Sequence, residues 1–126
     1  MKRIVIIEDN ALNRKLACRI LSGSGYDVIE AVSAEDGLAL VRLHRPSLVL
    51  MDMQLPGMDG IEATRQIRGD ATTAHIPVLA VTALAMAEDR AHVLANGCDG
   101  YLAKPYAYQA LLQAVESLLT GYGAES

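Results

Sequence analysis

Five times along this chain a Val- and Ile-rich run gives way to a segment of helical period, and that alternation leaves few possible folds. The strand-like runs are 4–7, 28–32, 48–51, 78–81 and a short one at Tyr101 and Leu102. Between them, apolar residues recur at helical spacing. Leu12, Leu16 and Ile20 follow Asn10, a good N-cap. Leu38 and Val41 follow Ser33, with Asp36 placed to answer the cap, and Ile61 and Ile67 follow Asp59, with Glu62 in the equivalent place. Ala87, Ala91 and Leu94 precede Asn96-Gly97, a helix stop, and Tyr108, Leu111, Leu112, Val115 and Leu118 form the last stripe.

A strand–helix unit repeated in this way predicts a parallel sheet, because each crossover must return the chain to the same end. The expected fold is α/β: a (βα)5 doubly wound, five-stranded parallel sheet with helices on both faces. Right-handed crossovers favour the strand order 2-1-3-4-5. The first, third and fourth runs are nearly all apolar, as central strands should be. The second, DVIEAV, carries Glu30 and suits an edge. No linker or repeat interrupts the 126 residues, so a single domain over 1–126, with no attached output domain, is expected.

In such a sheet ligands bind beyond the carboxyl ends of the strands. Glu8 and Asp9 stand there after the first strand, Asp52 after the third, Thr82 after the fourth and Lys104-Pro105 after the fifth. The run SLVLMDMQLPGMDG therefore carries a carboxylate to the end of a buried strand so that it reaches a shared pocket. Three carboxylates a few ångströms apart repel by ~3 kcal/mol per pair at an effective dielectric near 20. A bound cation relieves that. Oxygen ligands without thiolate or imidazole favour a hard divalent ion, Mg²⁺ or Mn²⁺. An acidic site alone has no use for Thr82 or Lys104, whereas a phosphoryl group does: the hydroxyl and the ammonium can each take one of its oxygens. Asp52, on the most central strand, is the natural nucleophile toward phosphorus.

Composition removes several alternatives. A formal charge of −4 argues against nucleic acid, where a basic surface supplies most of the affinity. No apolar run approaches the ~20 residues of a membrane span. The start, MKRIVIIEDN, turns acidic within eight residues and lacks the apolar region of an export signal, so it serves as the first strand. Cys18 and Cys98 have no metal-type spacing, and two free thiols in a reducing cytoplasm are expected. His44, His75 and His92 are scattered and none suits a ligand.

Together, IVIIEDN, LVLMDMQLPGMDG, PVLAVTA and GYLAKP resemble the receiver domain of bacterial two-component response regulators. The runs EDNALNRKL, AHIPVLAVTALAM and GCDGYLAKP look most like the stand-alone cell-division and polarity regulators of the DivK type. The set, not any single piece, carries the resemblance. It implies that Asp52 accepts a phosphoryl group from a phosphohistidine on a kinase or phosphotransfer protein. It implies that Asp9, Asp52 and the Gln54 carbonyl ligate Mg²⁺, with Glu8 acting through water. Thr82 would turn onto the phosphoryl oxygen and Tyr101 would follow, remodelling the surface of the fourth helix, fifth strand and fifth helix for a downstream protein. The face Asn13, Arg14 and Ala17, with the Pro105 loop, would meet the histidine-bearing bundle. In the family the Lys104-Pro105 peptide is usually cis, and Gln54 and Leu84 occupy positions that tune dephosphorylation. The acid pair here is Glu-Asp instead of Asp-Asp.

The chemistry is self-modification, so no turnover enzyme is expected. Two other readings compete. A phosphatase of the haloacid dehalogenase type would place a second aspartate two residues after the first, where this chain has Gln54. A degenerate receiver serving only as a binding module would not need the full acid, threonine and lysine set.

Overall fold

The structure is a computed structural model describing residues 2–83 and 87–120. The elements run β1 (Arg3–Ile7), α1 (Ala11–Gly23), β2 (Asp27–Ala31), α2 (Ala34–His44), β3 (Leu48–Asp52), α3 (Gly60–Gly69), β4 (Val78–Thr82), α4 (Ala87–Ala95), β5 (Gly100–Ala103) and α5 (Tyr108–Leu119). All four strand pairings are parallel and the order is β2-β1-β3-β4-β5, as the alternation predicts.

Side chains alternate across the sheet, so each strand feeds two cores. Val5, Ile7, Val49, Met51, Val78 and Ala80 face α2, α3 and α4. Ile4, Ile6, Leu48, Leu50, Leu79 and Val81 face α1 and α5. Every residue of β3 and β4 is buried, while Glu30 on the edge strand β2 stays exposed. The helix caps form as expected: Asn10, Ser33 and Asp59 side chains accept the backbone N–H of Asn13, Asp36 and Glu62. Gly97, at φ +105°, ends α4 in a conformation that an L side chain resists. Gly37 lets α2 lie directly on β1, since an added Cβ would sit 2.3 Å from Ile7 Cδ1. Cys18 and Cys98 are unpaired thiols, Cys98 buried.

Three helix faces differ from the periodicity. On α1 the row Leu12, Leu16 and Ile20 is not the core face: Leu12 and Leu16 are 68% and 48% exposed, and Ala17 and Leu21 are buried instead. Both rows are apolar, so spacing alone cannot choose between them. The sheet takes the row whose small Ala17 permits close approach. On α4 Val93 is buried, whereas Ala91 and Leu94 are exposed. On α5, Leu111 and Val115 are buried but Tyr108 is 56% exposed.

Candidate functional site

The parallel register brings four chain segments to one edge of the sheet. Asp52 is the last residue of β3 and Thr82 the last of β4, while Glu8 and Lys104 follow β1 and β5 directly. The ladder continues past the strand ends: Met53 N–H donates to Val81 O at 3.0 Å, and Lys104 N–H to Thr82 O at 2.8 Å. Those bonds fix where the polar side chains emerge. Glu8, Asp52 and Thr82 are all nearly inaccessible to solvent.

The ammonium of Lys104 lies 2.8 Å from Glu8 Oε1 and 3.4 Å from Asp52 Oδ2. The remaining carboxylate oxygens take backbone donors: Asn10 N–H to Glu8 Oε2 at 3.1 Å, and Gln54 N–H to Asp52 Oδ1 at 2.9 Å. Glu8, Asp9 and Asp52 each offer a ligand oxygen, all within 4.8 Å of one another. With all three ionised and one ammonium present, the pocket keeps two negative charges in excess, which suits a divalent cation held by oxygen.

Burial pushes the Glu8 carboxyl above the usual carboxylate range, and the adjacent Asp52 pushes it further, against the pull of Lys104 and the Asn10 N–H. Lys104 feels the opposite balance. Burial alone would lower it, but the Glu8 hydrogen bond and the Asp52 and Glu8 charges outweigh that and hold it above its ordinary value.

The acid loop has its own brace. Arg14 Nη1 donates to Glu8 O at 3.0 Å and to Asp9 O at 3.5 Å, and its Nε reaches Glu30 Oε1 at 3.2 Å. Its guanidinium is thus turned onto the acid loop. Ala17 is corrected outright as a docking residue: it is 3% exposed and belongs to the core. Leu16 faces solvent and lines, with Asn13, Ile20, Pro105 and Tyr108, a groove of about 550 Å³ beside Lys104. The Lys104-Pro105 peptide is cis.

Gly60 starts α3 hard against the end of β3, where an added Cβ would lie 2.8 Å from Met53 Cα and 2.9 Å from Asp52 O. Tyr101 is half-buried, packed against the core shared with α2, α3 and α4. Leu84 lies outside the described residues.

Sequence reasoning missed two neighbours. Tyr106 borders both the groove and a narrow cleft containing Glu8 and Asp52, and burial raises its hydroxyl pKa. An aromatic two residues past Lys104 was the only available signal. The Gln54 side chain crosses to β4, its Oε1 accepting Ala83 N–H at 2.8 Å and Thr82 O–H at 3.4 Å. Nothing in the local pattern foretells that reach.

Comparison with known proteins agrees with this geometry. The response regulator receiver domain matches residues 4–116. The polar-differentiation response regulator DivK of Brucella anthropi is 41% identical over 118 residues, spanning 94% of this chain and 96% of that protein. The receiver domain of a sensor histidine kinase from Pseudomonas aeruginosa superposes with a TM-score of 0.88 at 31% identity, covering 94% of this chain and 98% of that one. That structure has a magnesium ion coordinated in its active site cleft. A CheY-like receiver domain protein from Methanospirillum hungatei gives a TM-score of 0.89 at 29% identity, covering 100% of this chain and 99% of that one.

Proposed function

The chain belongs to the response regulator receiver domain family and acts in phosphorelay signalling, and from that premise we propose that Asp52 is its phosphoacceptor. One observation carries the assignment: a buried carboxylate at the end of a central strand, within 3.4 Å of a lysine ammonium, grouped with two further acids. An Asp52 oxygen attacks phosphorus, the P–N bond of a phosphohistidine breaks, and its electron pair stays on the imidazole nitrogen. The product on this chain is an aspartyl phosphate. Lys104 offsets the charge on one phosphoryl oxygen and the Thr82 hydroxyl accommodates another.

The donor set fits Mg²⁺, or Mn²⁺. Asp9, Asp52 and the Gln54 carbonyl would hold it, with Glu8 bound through water. Such an ion supplies charge neutralisation at the phosphoryl oxygens when bound. The magnesium in the Pseudomonas receiver supports this reading. Thr82 turning toward the phosphoryl group, followed by Tyr101, would bias the surface of α4, β5 and α5 between two states that a partner distinguishes.

The chain is then a self-modifying cytoplasmic switch over residues 1–126, not a turnover enzyme. Its partners are a histidine kinase or phosphotransfer protein upstream and a protein target downstream, with neither nucleic acid nor membrane. A haloacid dehalogenase-type phosphatase is not favoured, because the family match spans nearly the whole chain. No helix among the described residues is long and apolar enough to cross a membrane.

Incubated with Mg²⁺ and a small acyl phosphate, the protein is expected to gain one phosphoryl group by intact mass, and to gain none in excess chelator. An unmodified protein, or a modification indifferent to chelator, overturns the proposal.

Docking of the histidine-bearing partner in the apolar groove is tested separately. Leu16→Arg puts a charge into that groove at a side chain that makes none of the acid cluster's hydrogen bonds. Transfer from a phosphohistidine protein should fall about tenfold or more, since buried anchors dominate such interfaces, while reaction with the small acyl phosphate is unchanged. Equal loss of both contradicts the groove's role.

A further inference from the structure

The amide oxygen of Gln54 sits between two donors on neighbouring residues, the Ala83 N–H at 2.8 Å and the Thr82 hydroxyl at 3.4 Å. A backbone N–H can only donate, so the atom facing it must be the amide oxygen and not its nitrogen. The residue's own N–H meanwhile holds Asp52 Oδ1 at 2.9 Å. Its backbone therefore stays on the acceptor carboxylate while its side chain reaches across to the end of β4. Gln54 and Ala83 are both exposed, so solvent is available to the side chain if it leaves.

We infer that the Gln54 side chain is a built-in occupant of the oxygen cradle formed by Thr82 and Ala83, filling the place of a phosphoryl oxygen until phosphorylation displaces it. The inference rests on the reading of Asp52 as phosphoacceptor. A neutral amide oxygen is the weaker acceptor, and an anionic phosphoryl oxygen takes the same donors in charge-assisted hydrogen bonds. Displacement is then favourable once the phosphoryl group is present. Before that, only molecules with the side chain swung out can offer both donors, and the rate of phosphorylation is scaled down by their fraction. Gln54 acts here as a positioning residue that gates the pocket through Thr82 and Ala83.

Two variants separate the hydrogen bond from mere bulk. Gln54→Ala removes both. Gln54→Met keeps the length and volume but has no comparable acceptor. Each leaves the backbone N–H on Asp52. With saturating Mg²⁺ and a small acyl phosphate, an Asp52 oxygen attacks phosphorus and the P–O bond to the carboxylate leaving group breaks. The initial rate of this reaction, followed by intact mass, should rise about three- to tenfold in both variants, the equilibrium worth of one exposed hydrogen bond. In the unphosphorylated protein the Ala83 amide should also exchange its hydrogen faster in both.

A rate in Gln54→Met that is equal to or below that of the wild type overturns the inference, whatever the amide does. A wild-type protein that takes no phosphoryl group at all defeats the assignment of Asp52 as well, so the two failures are distinct.

Discussion

Asp52→Asn is expected to leave a folded protein that takes no phosphoryl group and has lost most of its stabilisation by Mg²⁺. Asparagine still offers Oδ1 to the Gln54 N–H, so the bond at 2.9 Å that orders the loop survives. It loses the oxygen negative enough to attack phosphorus and one of the three carboxylates grouped within 4.8 Å. Lys104 keeps its 2.8 Å partner Glu8. Losing one attraction to Lys104 is offset by removing two repulsions and the cost of burying a charge. The metal-free variant should therefore unfold no earlier than the wild type. Mg²⁺ at one hundred times its dissociation constant would add about 2.7 kcal/mol to the wild type, and Asp52→Asn should lose the greater part of that. Thermal unfolding followed by circular dichroism, with and without Mg²⁺, measures one half of the prediction and intact mass the other. A phosphoryl adduct on the variant would move the acceptor elsewhere; undiminished Mg²⁺ stabilisation would separate Asp52 from the ion.

The second large effect lies at the opposite edge of the sheet. Arg68, near the end of α3, donates to Gly97 O at 3.0 Å, Ala74 O at 3.1 Å and Ile76 O at 2.7 Å, and pairs with Asp99. Asp99 also accepts the N–H of Val78, the first residue of β4, at 2.8 Å. One guanidinium thus ties the end of α3 to the loop before β4 and to the turn leading into β5. Arg68→Ala strips the donor from three carbonyls and removes a partly covered charge pair. Its Asp99 partner is 43% exposed and rehydrates in part. The expected loss is about 2–4 kcal/mol, which lowers Tm by about 10 °C for a chain of this size. Arg68→Lys should recover little, because a point ammonium cannot span four acceptors in a planar fork. The phosphorylation rate at a temperature where the variant is folded should match that of the wild type. A Tm within two or three degrees of wild type would show that water replaces the guanidinium at little cost.

Much of this molecule is legible in its sequence. The strand order, the caps at Asn10, Ser33 and Asp59, and the meeting of Glu8, Asp52 and Lys104 follow from alternation and from the rule that parallel strands share an end. The errors share one form. Leu12, Leu16 and Ile20 have the spacing of a core row, but so do Ala17 and Leu21, and only the second pair is buried, with Ile20 packed at its margin. Tyr108 has the spacing of the α5 leucines and yet is mostly in solvent. Ala17, expected on a docking face, instead fills the core.

Order along the chain and the period of its apolar residues are local quantities, repeated every two to four positions. They determine which elements form and, through the geometry of parallel crossovers, which strand ends share an edge. Which apolar row a helix buries, where Gln54 places its amide and what Arg68 holds together depend on distances between segments far apart in sequence. Those distances exist only once the sheet has brought the segments within hydrogen-bond reach, so packing had to decide them.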